Sequence, residues 1–142
     1  MVIPDVNILV YAYDRGSRFH VEAKAWLEEA LTNDEVCFSW HTITGFLRVL
    51  TLPKIHSSPV SLEAAIRIVT EWFSLENTHL VSFEKKNWRN FANLLLESQA
   101  SGNLVMDAHL AAIAASCGAT VASTDRDFRR FTGISLIDPV SK

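Results

Sequence analysis

Two aspartates stand two residues apart at the point where a buried strand is expected to end. Asp125 and Asp127 lie in the stretch STDRDF, which directly follows the apolar run at residues 119–122. Like charges this close repel one another, and burial would weaken the solvent screening that normally reduces this repulsion. Their placement therefore indicates that something else at this end of the strand compensates for the two charges.

A third aspartate, Asp107, heads the apolar face of a predicted helix. Positions 107, 110, 111, 114 and 115 share one helical face, and after Asp107 that face carries only leucine and alanine. Burial of a lone carboxylate costs several kcal/mol, whereas the positive end of the helix dipole returns only about 0.3–1 kcal/mol. Asp5, after the first predicted strand, is a fourth acid. Each acid alone could be a helix cap or a loop charge, but three separate segments bring carboxylates to one predicted edge.

A divalent cation shared by these acids would compensate their charge. Oxygen ligands without a set of Cys or His favour Mg²⁺ or Mn²⁺ over zinc. Such an ion lowers the pKa of a bound water, directs it at a phosphorus atom and neutralises the charge on the leaving oxygen. We therefore predict a catalytic metal site with Asp5, Asp107 and Asp125 as ligands. Asp127 is predicted to be a further ligand or the base that orients the water.

Polar residues beside the acids could position them or the substrate. Asn7 and Thr124 could orient a carboxylate or a water molecule, although each could equally be a local cap. Arg48 and Arg126 could hold phosphate oxygens, which suit the arginine fork, although ordinary surface charge is the commoner role.

Two further residues, Trp40 and His41, follow the second predicted strand at the same edge. Both could contact an unpaired base, but a tryptophan in the core is commoner and is expected for Trp40. His109 is expected to point away from Asp107 and is not predicted to be a ligand.

Short strand-like runs alternate with helical spacing along the chain. Strands are predicted at residues 2–3, 36–38, 80–82, 120–123 and 134–137, and helices at 6–13, 20–31, 42–51, 87–97, 104–117 and from Ser61 onward. Buried helical faces are expected to carry Val21, Ala25 and Leu27; Leu62, Ala65, Ile66, Val69 and Trp72; and Trp88, Phe91, Ala92 and Leu95. This alternation favours a three-layer α/β/α fold around a parallel sheet of four or five strands. In such sheets ligands bind at the carboxyl ends of the strands.

Composition places the chain among globular proteins, and its 142 residues predict one domain, residues 1–142. The net charge of −3 gives no basic field of the kind that most nucleic-acid binders carry. A metal ion that contacts the scissile phosphate would nevertheless let an acidic protein engage RNA. The sequence shows no secretion signal and no long apolar run, and its two cysteines are expected to be reduced core thiols. We expect a cytoplasmic protein without a membrane segment.

Four segments resemble PIN-domain nucleases and, more narrowly, VapC-type toxins of bacterial toxin–antitoxin pairs. They are PDVNILVYAYD at 4–14, GFLRVLTLPKI at 45–55, GNLVMDAHLAAIAASCGA at 102–119 and STDRDFRRF at 123–131. The resemblance implies a helix-flanked parallel sheet and a Mg²⁺- or Mn²⁺-dependent endoribonuclease that cleaves RNA. It also implies a VapB-type antitoxin in the active-site groove and often a homodimer. It places metal-site acids at Asp5, Asp107 and Asp125 and a further acid at Asp127.

One position departs from the family pattern. Many PIN nucleases carry a glutamate in a pattern resembling E-F-x-R, whereas this chain has Gly45 at the start of GFLR. We interpret GFLR as the mark of a VapC subgroup. The loss of one carboxylate weakens the case for a permanent two-metal centre and makes Asp127 more important.

Two other functions fit parts of the sequence. A PIN-like protein without catalysis could serve as a partner-binding subunit, and Gly45 keeps this alternative open. A receiver-type signalling domain also gathers acids at strand ends, but no Asp or Lys is suitably placed after Phe38, Ser82 or Ile137. The nuclease is therefore the favoured interpretation.

Overall fold

The computed structural model describes residues 1–53 and 59–141. Lys54 and Ile55, the last two residues of the segment GFLRVLTLPKI, lie outside the described residues. The strands found in the described ranges are β1 Val2–Pro4, β2 Val36–Phe38, β3 Thr78–Leu80, β4 Thr120–Ala122 and β5 Ser135–Ile137. The α-helices are α1 Val6–Tyr13, α2 His20–Asn33, α3 Trp40–Leu50, α4 Leu62–Ser74, α5 Trp88–Ser98 and α6 Leu104–Cys117.

All strand pairs are parallel, and the sheet has the order β3-β2-β1-β4-β5. The predicted α/β fold with a parallel central sheet is therefore confirmed. One core layer gathers side chains from α1 to α4, and the other gathers α5, α6 and the loop after β4. The chain winds from β1 to β2 and β3 on one side, then returns to place β4 on the other side of β1. The carboxyl ends of β1 and β4 therefore meet where the winding direction reverses, which is the usual ligand position in such sheets.

Polar residues at the carboxyl ends of strands begin the helices that follow. The side chain of Asp5 accepts from the backbone N–H of Val6 at the start of α1, and Ser39 accepts from Thr42 at the start of α3. Ser61 caps α4, and Gly118 ends α6 in a left-handed conformation, so that α6 has the predicted bounds of 104–117. The carboxyl edge of the sheet therefore has a defined backbone geometry.

Several apolar side chains expected to face inward are exposed instead. They are Val21 and Ala25 of α2, Leu62 and Ile66 of α4, and Trp88 of α5. The buried positions of these helices are Ala23, Leu27 and Ala30; Ala65, Val69 and Trp72; and Leu94 and Ser98. Spacing identifies residues that share a face, but the neighbouring elements decide which part of that face they cover.

Two further expectations at the β2 and β3 end were wrong. Trp40 is 61% exposed and packs edge-on against Phe73 rather than entering the core. β3 covers Thr78–Leu80 instead of residues 80–82, because Thr78 pairs in register with Val36 of β2. Among the described residues, no helix combines the length and apolarity that a bilayer crossing requires.

Gly45 allows α3 to pack directly on α1. A Cβ atom at position 45 would lie 2.8 Å from Cγ2 of Val6, closer than real Cβ contacts come. Val6 is β-branched and stiff at χ1, so it cannot move aside cheaply. The glycine is therefore a packing requirement next to Asp5, the residue that precedes Val6.

Candidate metal centre

Carboxylates from three segments meet around the carboxyl ends of β1 and β4. Asp5 directly follows β1, Asp125 and Asp127 lie in the loop after β4, and Asp107 belongs to the first turn of α6. The backbone N–H of Asp5 donates to the carbonyl of Ala122 at 2.9 Å, which joins the two strand ends directly. The parallel sheet and the helix that precedes β4 thus position the acids.

Three of the acids form a tight group. One carboxylate oxygen from each of Asp107, Asp125 and Asp127 lies within 4.8 Å of the others. Asp107 and Asp125 are half-buried, and Asp127 is exposed. Oxygen atoms bound to one Mg²⁺ lie about 2.0–2.1 Å from it, so opposite ligands are about 4 Å apart. A small side-chain adjustment would therefore let the three carboxylates share an ion.

Asp5 lies beside this group, and both of its carboxylate oxygens already accept hydrogen bonds. Oδ1 accepts from the backbone N–H of Val6 at 2.7 Å, and Oδ2 accepts from the hydroxyl of Ser123 at 2.8 Å. Burial raises the pKa of the Asp5 carboxyl, the two hydrogen bonds oppose that rise, and the charge of Asp125 adds to it. Asp5 is therefore fixed in place next to the acids from α6 and the β4 loop.

Ser123, which was not among the predicted site residues, connects these residues. Its Oγ accepts from Nδ2 of Asn7 at 3.3 Å and from the backbone N–H of Asp125 at 3.0 Å, while it donates to Asp5. Ser123 is only 1% exposed. A polar residue at the end of a buried strand was the available signal, because such a side chain needs hydrogen-bond partners.

Asn7 and Thr124, the two residues predicted to orient a carboxylate or a water, contact each other. Nδ2 of Asn7 also donates to Oγ1 of Thr124 at 2.9 Å. Oδ1 of Asn7 is buried and has no hydrogen-bond partner among the described residues. Buried polar atoms are normally satisfied, so this oxygen fits a site that receives a water or another ligand.

The charge of Asp107 has the least compensation from the protein. Burial and, after it, the charges of Asp125, Asp5 and Asp127 raise the pKa of Asp107 to about 7. The described residues donate no hydrogen bond that would oppose this rise. The Asp107 carboxyl of the metal-free protein consequently keeps a proton to much higher pH than an ordinary aspartate does. A divalent cation held by oxygen ligands would remove this repulsion, so the donor set fits such an ion.

The predicted arginines lie outside this hydrogen-bonded group. Arg48 and Arg126 are both exposed, and no ion pair joins either to a site acid within the described ranges. Arg130 instead donates from Nη2 to the carbonyl of Ser98 at 2.8 Å and so ties the β4 loop to α5. Arg48 and Arg126 remain available for a substrate phosphate.

Comparison with known proteins defines the class. The sequence matches the PIN domain family over residues 2–134, so the chain belongs to the PIN-domain family. Within it, Ribonuclease VapC37 of Mycobacterium tuberculosis is 36% identical over 140 residues, which cover 98% of this chain and 97% of that protein. Ribonuclease VapC33 of the same organism is 30% identical over 141 residues, 99% of each chain.

Solved structures share the fold at lower identity. FitAB bound to an IR36 DNA fragment superposes with a TM-score of 0.74 at 17% identity, covering 100% of this chain and 97% of that chain. VapBC2 from Rickettsia felis, bound to a DNA fragment from its promoter, has a TM-score of 0.70 at 18% identity, with coverages of 96% and 98%. The fold of these structures therefore matches that of this chain along nearly its whole length.

Proposed function

We propose that this protein is a metal-dependent endoribonuclease and the toxin of a toxin–antitoxin pair. The observation that carries the proposal is the group formed by Asp107, Asp125 and Asp127 in a PIN-family chain similar to VapC ribonucleases. The uncompensated charge of Asp107 supports the metal requirement. Mg²⁺ or Mn²⁺ is the ion that an oxygen-only site of this size favours.

The acids have different tasks in this proposal. Asp107 and Asp125 are the ligands that would hold the ion, and Asp5 completes the ligand set from its fixed position after β1. A bound Mg²⁺ would supply a water of lowered pKa and would neutralise charge on the scissile phosphate. Asp127 is exposed at the open side of the group, where it can accept a proton from the attacking water or act as a further ligand.

The neighbouring polar residues keep this geometry in place. Ser123 and Asn7 fix the Asp5 carboxylate and the loop that carries Asp125 through the hydrogen bonds described above. Thr124 extends this network from the loop to Asn7. Arg48 and Arg126 would contact substrate phosphates, because an exposed guanidinium can bind two phosphate oxygens at once.

The partner assignments rest on the named relatives. Structures of related fold are VapBC and FitAB complexes, which supports a VapB-type antitoxin as the partner of this chain. A homodimer, a cytoplasmic location and membership of a GFLR subgroup belong to the same proposal. The tight contact between Gly45 and Val6 supports the subgroup, because it makes the glycine a packing requirement of this chain.

Cleavage of RNA by the purified protein tests the proposal. We expect cleavage of single-stranded RNA with Mg²⁺ or Mn²⁺, none with EDTA, and a loss of more than about 100-fold in Asp107→Asn. Asp138→Asn is the matched control, because it removes the same charge from an exposed loop and keeps an oxygen that can accept from Val140. A folded wild-type protein that binds its partner but cleaves no RNA with either ion would instead establish the inactive partner-binding subunit.

A further inference from the structure

A continuous set of ring contacts, which we call the aromatic wall, borders the metal centre. It consists of His41, Phe83, Trp88, Phe91 and His109. The ring centroids of His41 and His109 are 5.9 Å apart, and His109 lies 4.7 Å from Phe83 and 5.6 Å from Phe91. Phe91 then contacts Trp88 at 5.9 Å. The wall therefore runs from the α3 end of the site to the first residue of α5.

The wall is continuous with the acids. His109 is two residues beyond Asp107 on α6, and His41 is the second residue of α3, directly beyond the carboxyl end of β2. His41 is close enough to Asp5 for its charge to act on that carboxyl. Phe83 follows β3, so it lies beyond the carboxyl end of the neighbouring strand. One end of the wall is thus at the place where a scissile phosphate would be held.

The rings of the wall are not closed off in the core. Trp88 is 60% exposed, and the other four rings are half-buried. His109 contributes a buried Nδ1 without a hydrogen-bond partner among the described residues. Flat rings of this kind accept a nucleobase on their exposed faces, and the stacking is tolerant of base identity.

The charge of the chain favours this mode of RNA binding. With a net charge of −3 the protein has no overall basic field to attract phosphates, so contacts that do not depend on charge must add to the affinity that the metal centre and single arginines supply. We propose that the aromatic wall stacks the unpaired bases of single-stranded RNA next to the scissile phosphate. This inference rests on the proposed ribonuclease function and identifies the side chains that would hold the unpaired bases beside the cleaved bond.

Two tryptophans of nearly equal exposure provide the test. Trp88 and Trp40 are 60% and 61% exposed, and each makes an edge-on contact with one phenylalanine, but Trp40 contacts Phe73 of α4 rather than the wall. Binding of a fluorescein-labelled single-stranded RNA is measured by anisotropy in an Asp107→Asn background, which prevents cleavage. We expect Trp88→Ala to weaken binding roughly 5- to 100-fold. Trp40→Ala should change it less than about 2-fold, and a duplex of the same sequence should not respond to Trp88→Ala.

A second variant, together with a measurement of the molar mass in solution that distinguishes monomer from dimer, keeps the test decisive. Phe83→Leu keeps an apolar side chain but removes a ring from the wall, so it should weaken binding in the same direction even where Trp88→Ala lowers the melting temperature. Unchanged binding in both wall variants, or an equal loss in Trp40→Ala, would overturn the inference. So would a dimer that Trp88→Ala converts to a monomer with unchanged RNA affinity, since the wall would then be a protein interface.

The binding assay is independent of catalysis. Absence of cleavage by the wild-type protein together with Trp88-dependent RNA binding would refute the proposed nuclease and leave the wall established. If the wild-type protein cleaves RNA while Trp88→Ala and Phe83→Leu bind RNA normally, the nuclease stands and the role of the aromatic wall is refuted.

Discussion

Asp5 and Asp107 are both partly buried, but the protein compensates their charges to different extents. Burial raises the pKa of each carboxyl group. The Asp5 carboxylate accepts hydrogen bonds from Val6 and Ser123, whereas the described residues offer Asp107 only the like charges of three other acids. Asp5 is therefore part of the hydrogen-bonded frame of the fold. Asp107 is a charge without an internal partner, which is where an external cation has most to compensate.

The two residues therefore contribute differently to the stability of the fold. A helix cap such as Asp5 is stabilising with or without a metal, because its acceptors are used by backbone and hydroxyl donors. The repulsion at Asp107 has no structural benefit, so we interpret it as a consequence of ligand geometry that a cation relieves. Substitutions at the two positions should consequently have similar effects on catalysis but opposite effects on the stability of the metal-free protein.

The largest expected effect is the loss of activity when Asp5 is replaced. Asp5→Ala should lower RNA cleavage more than about 100-fold, because it removes a ligand of the proposed centre. It should also lower the free energy of unfolding by about 0.5–2 kcal/mol, because α1 loses its N-cap. Cleavage rates and urea unfolding of the same preparation measure both. Normal activity in Asp5→Ala would remove this residue from the site.

Replacement of Ser123 should cause the next largest loss of RNA cleavage, because this residue acts only through its neighbours. Ser123→Ala removes the donor to Asp5 and the acceptor for Asn7 and Asp125, so we expect cleavage to fall about 10- to 100-fold. Thr124→Ala, which removes one contact to Asn7, is the control and should lose less. Weaker Mn²⁺ binding in Ser123→Ala than in Thr124→Ala, measured by calorimetry, would locate the defect in the metal centre. An equal loss in both variants would contradict the central place of Ser123.

Replacement of Asp107 should raise the stability of the metal-free protein, whereas replacement of Asp5 should lower it. The folded pKa of Asp107, about 7, lies above the ordinary aspartate pKa of 3.8, so the folded protein binds more protons than the unfolded chain between these values. Stability of the metal-free protein should therefore fall as the pH rises from about 4 to 7. Asp107→Asn should flatten this dependence and add about 1–2 kcal/mol at pH 7, after allowance for solvent screening.

Urea unfolding in EDTA at pH 4 and pH 7 measures this prediction. The gain in Asp107→Asn should be present at pH 7 and much smaller at pH 4, where the carboxyl is protonated in the folded protein and, close to its ordinary pKa of 3.8, partly protonated in the unfolded chain. Excess Mg²⁺ should make the wild type the more stable of the two, because only its site can bind the ion well. A destabilised Asp107→Asn in EDTA at pH 7 would contradict the contrast with Asp5.

The smallest effect is expected at the packing contact next to Asp5. Gly45→Ala should cost about 1 kcal/mol, since the overpacking against Val6 exceeds the gain in helix propensity. In a double-mutant cycle, Gly45→Ala should cost less stability when Val6→Ala is also present, because the smaller side chain at position 6 makes room for the new Cβ. Gly45→Ala with wild-type stability would show that the α1 and α3 contact has room to adjust.

The sequence predicted the elements well because their signals are local. The helices Val6–Tyr13 and Leu104–Cys117 and the strand Val36–Phe38 have the predicted bounds. The orientation of the helices was predicted less well. Val21 is 74% exposed although its spacing suited a buried stripe, because only the packing of α2 on α1 decides which stripe is covered.

The site was predictable by residue type but not in its detail. Parallel topology implies that acids after β1 and β4 approach one another, and the structure brings Asp107 to them. The hydrogen bond from Ser123 to Asp5 joins residues 118 positions apart, and no local pattern encodes such a contact. The tight group also contains Asp127 rather than Asp5, a distinction that depends on distances of a few ångströms.

Calorimetric titration with Mn²⁺ tests most directly whether these acids hold a cation. Wild-type protein freed of metal should take up Mn²⁺ at neutral pH with a measurable heat, and Asp107→Asn should lose most of that binding while Asp138→Asn keeps it. Uptake should release protons, because the raised pKa of Asp107 leaves part of its carboxyl protonated before the ion binds. No heat with the wild type, or the same isotherm for Asp107→Asn, would contradict a metal centre at the ends of β1 and β4.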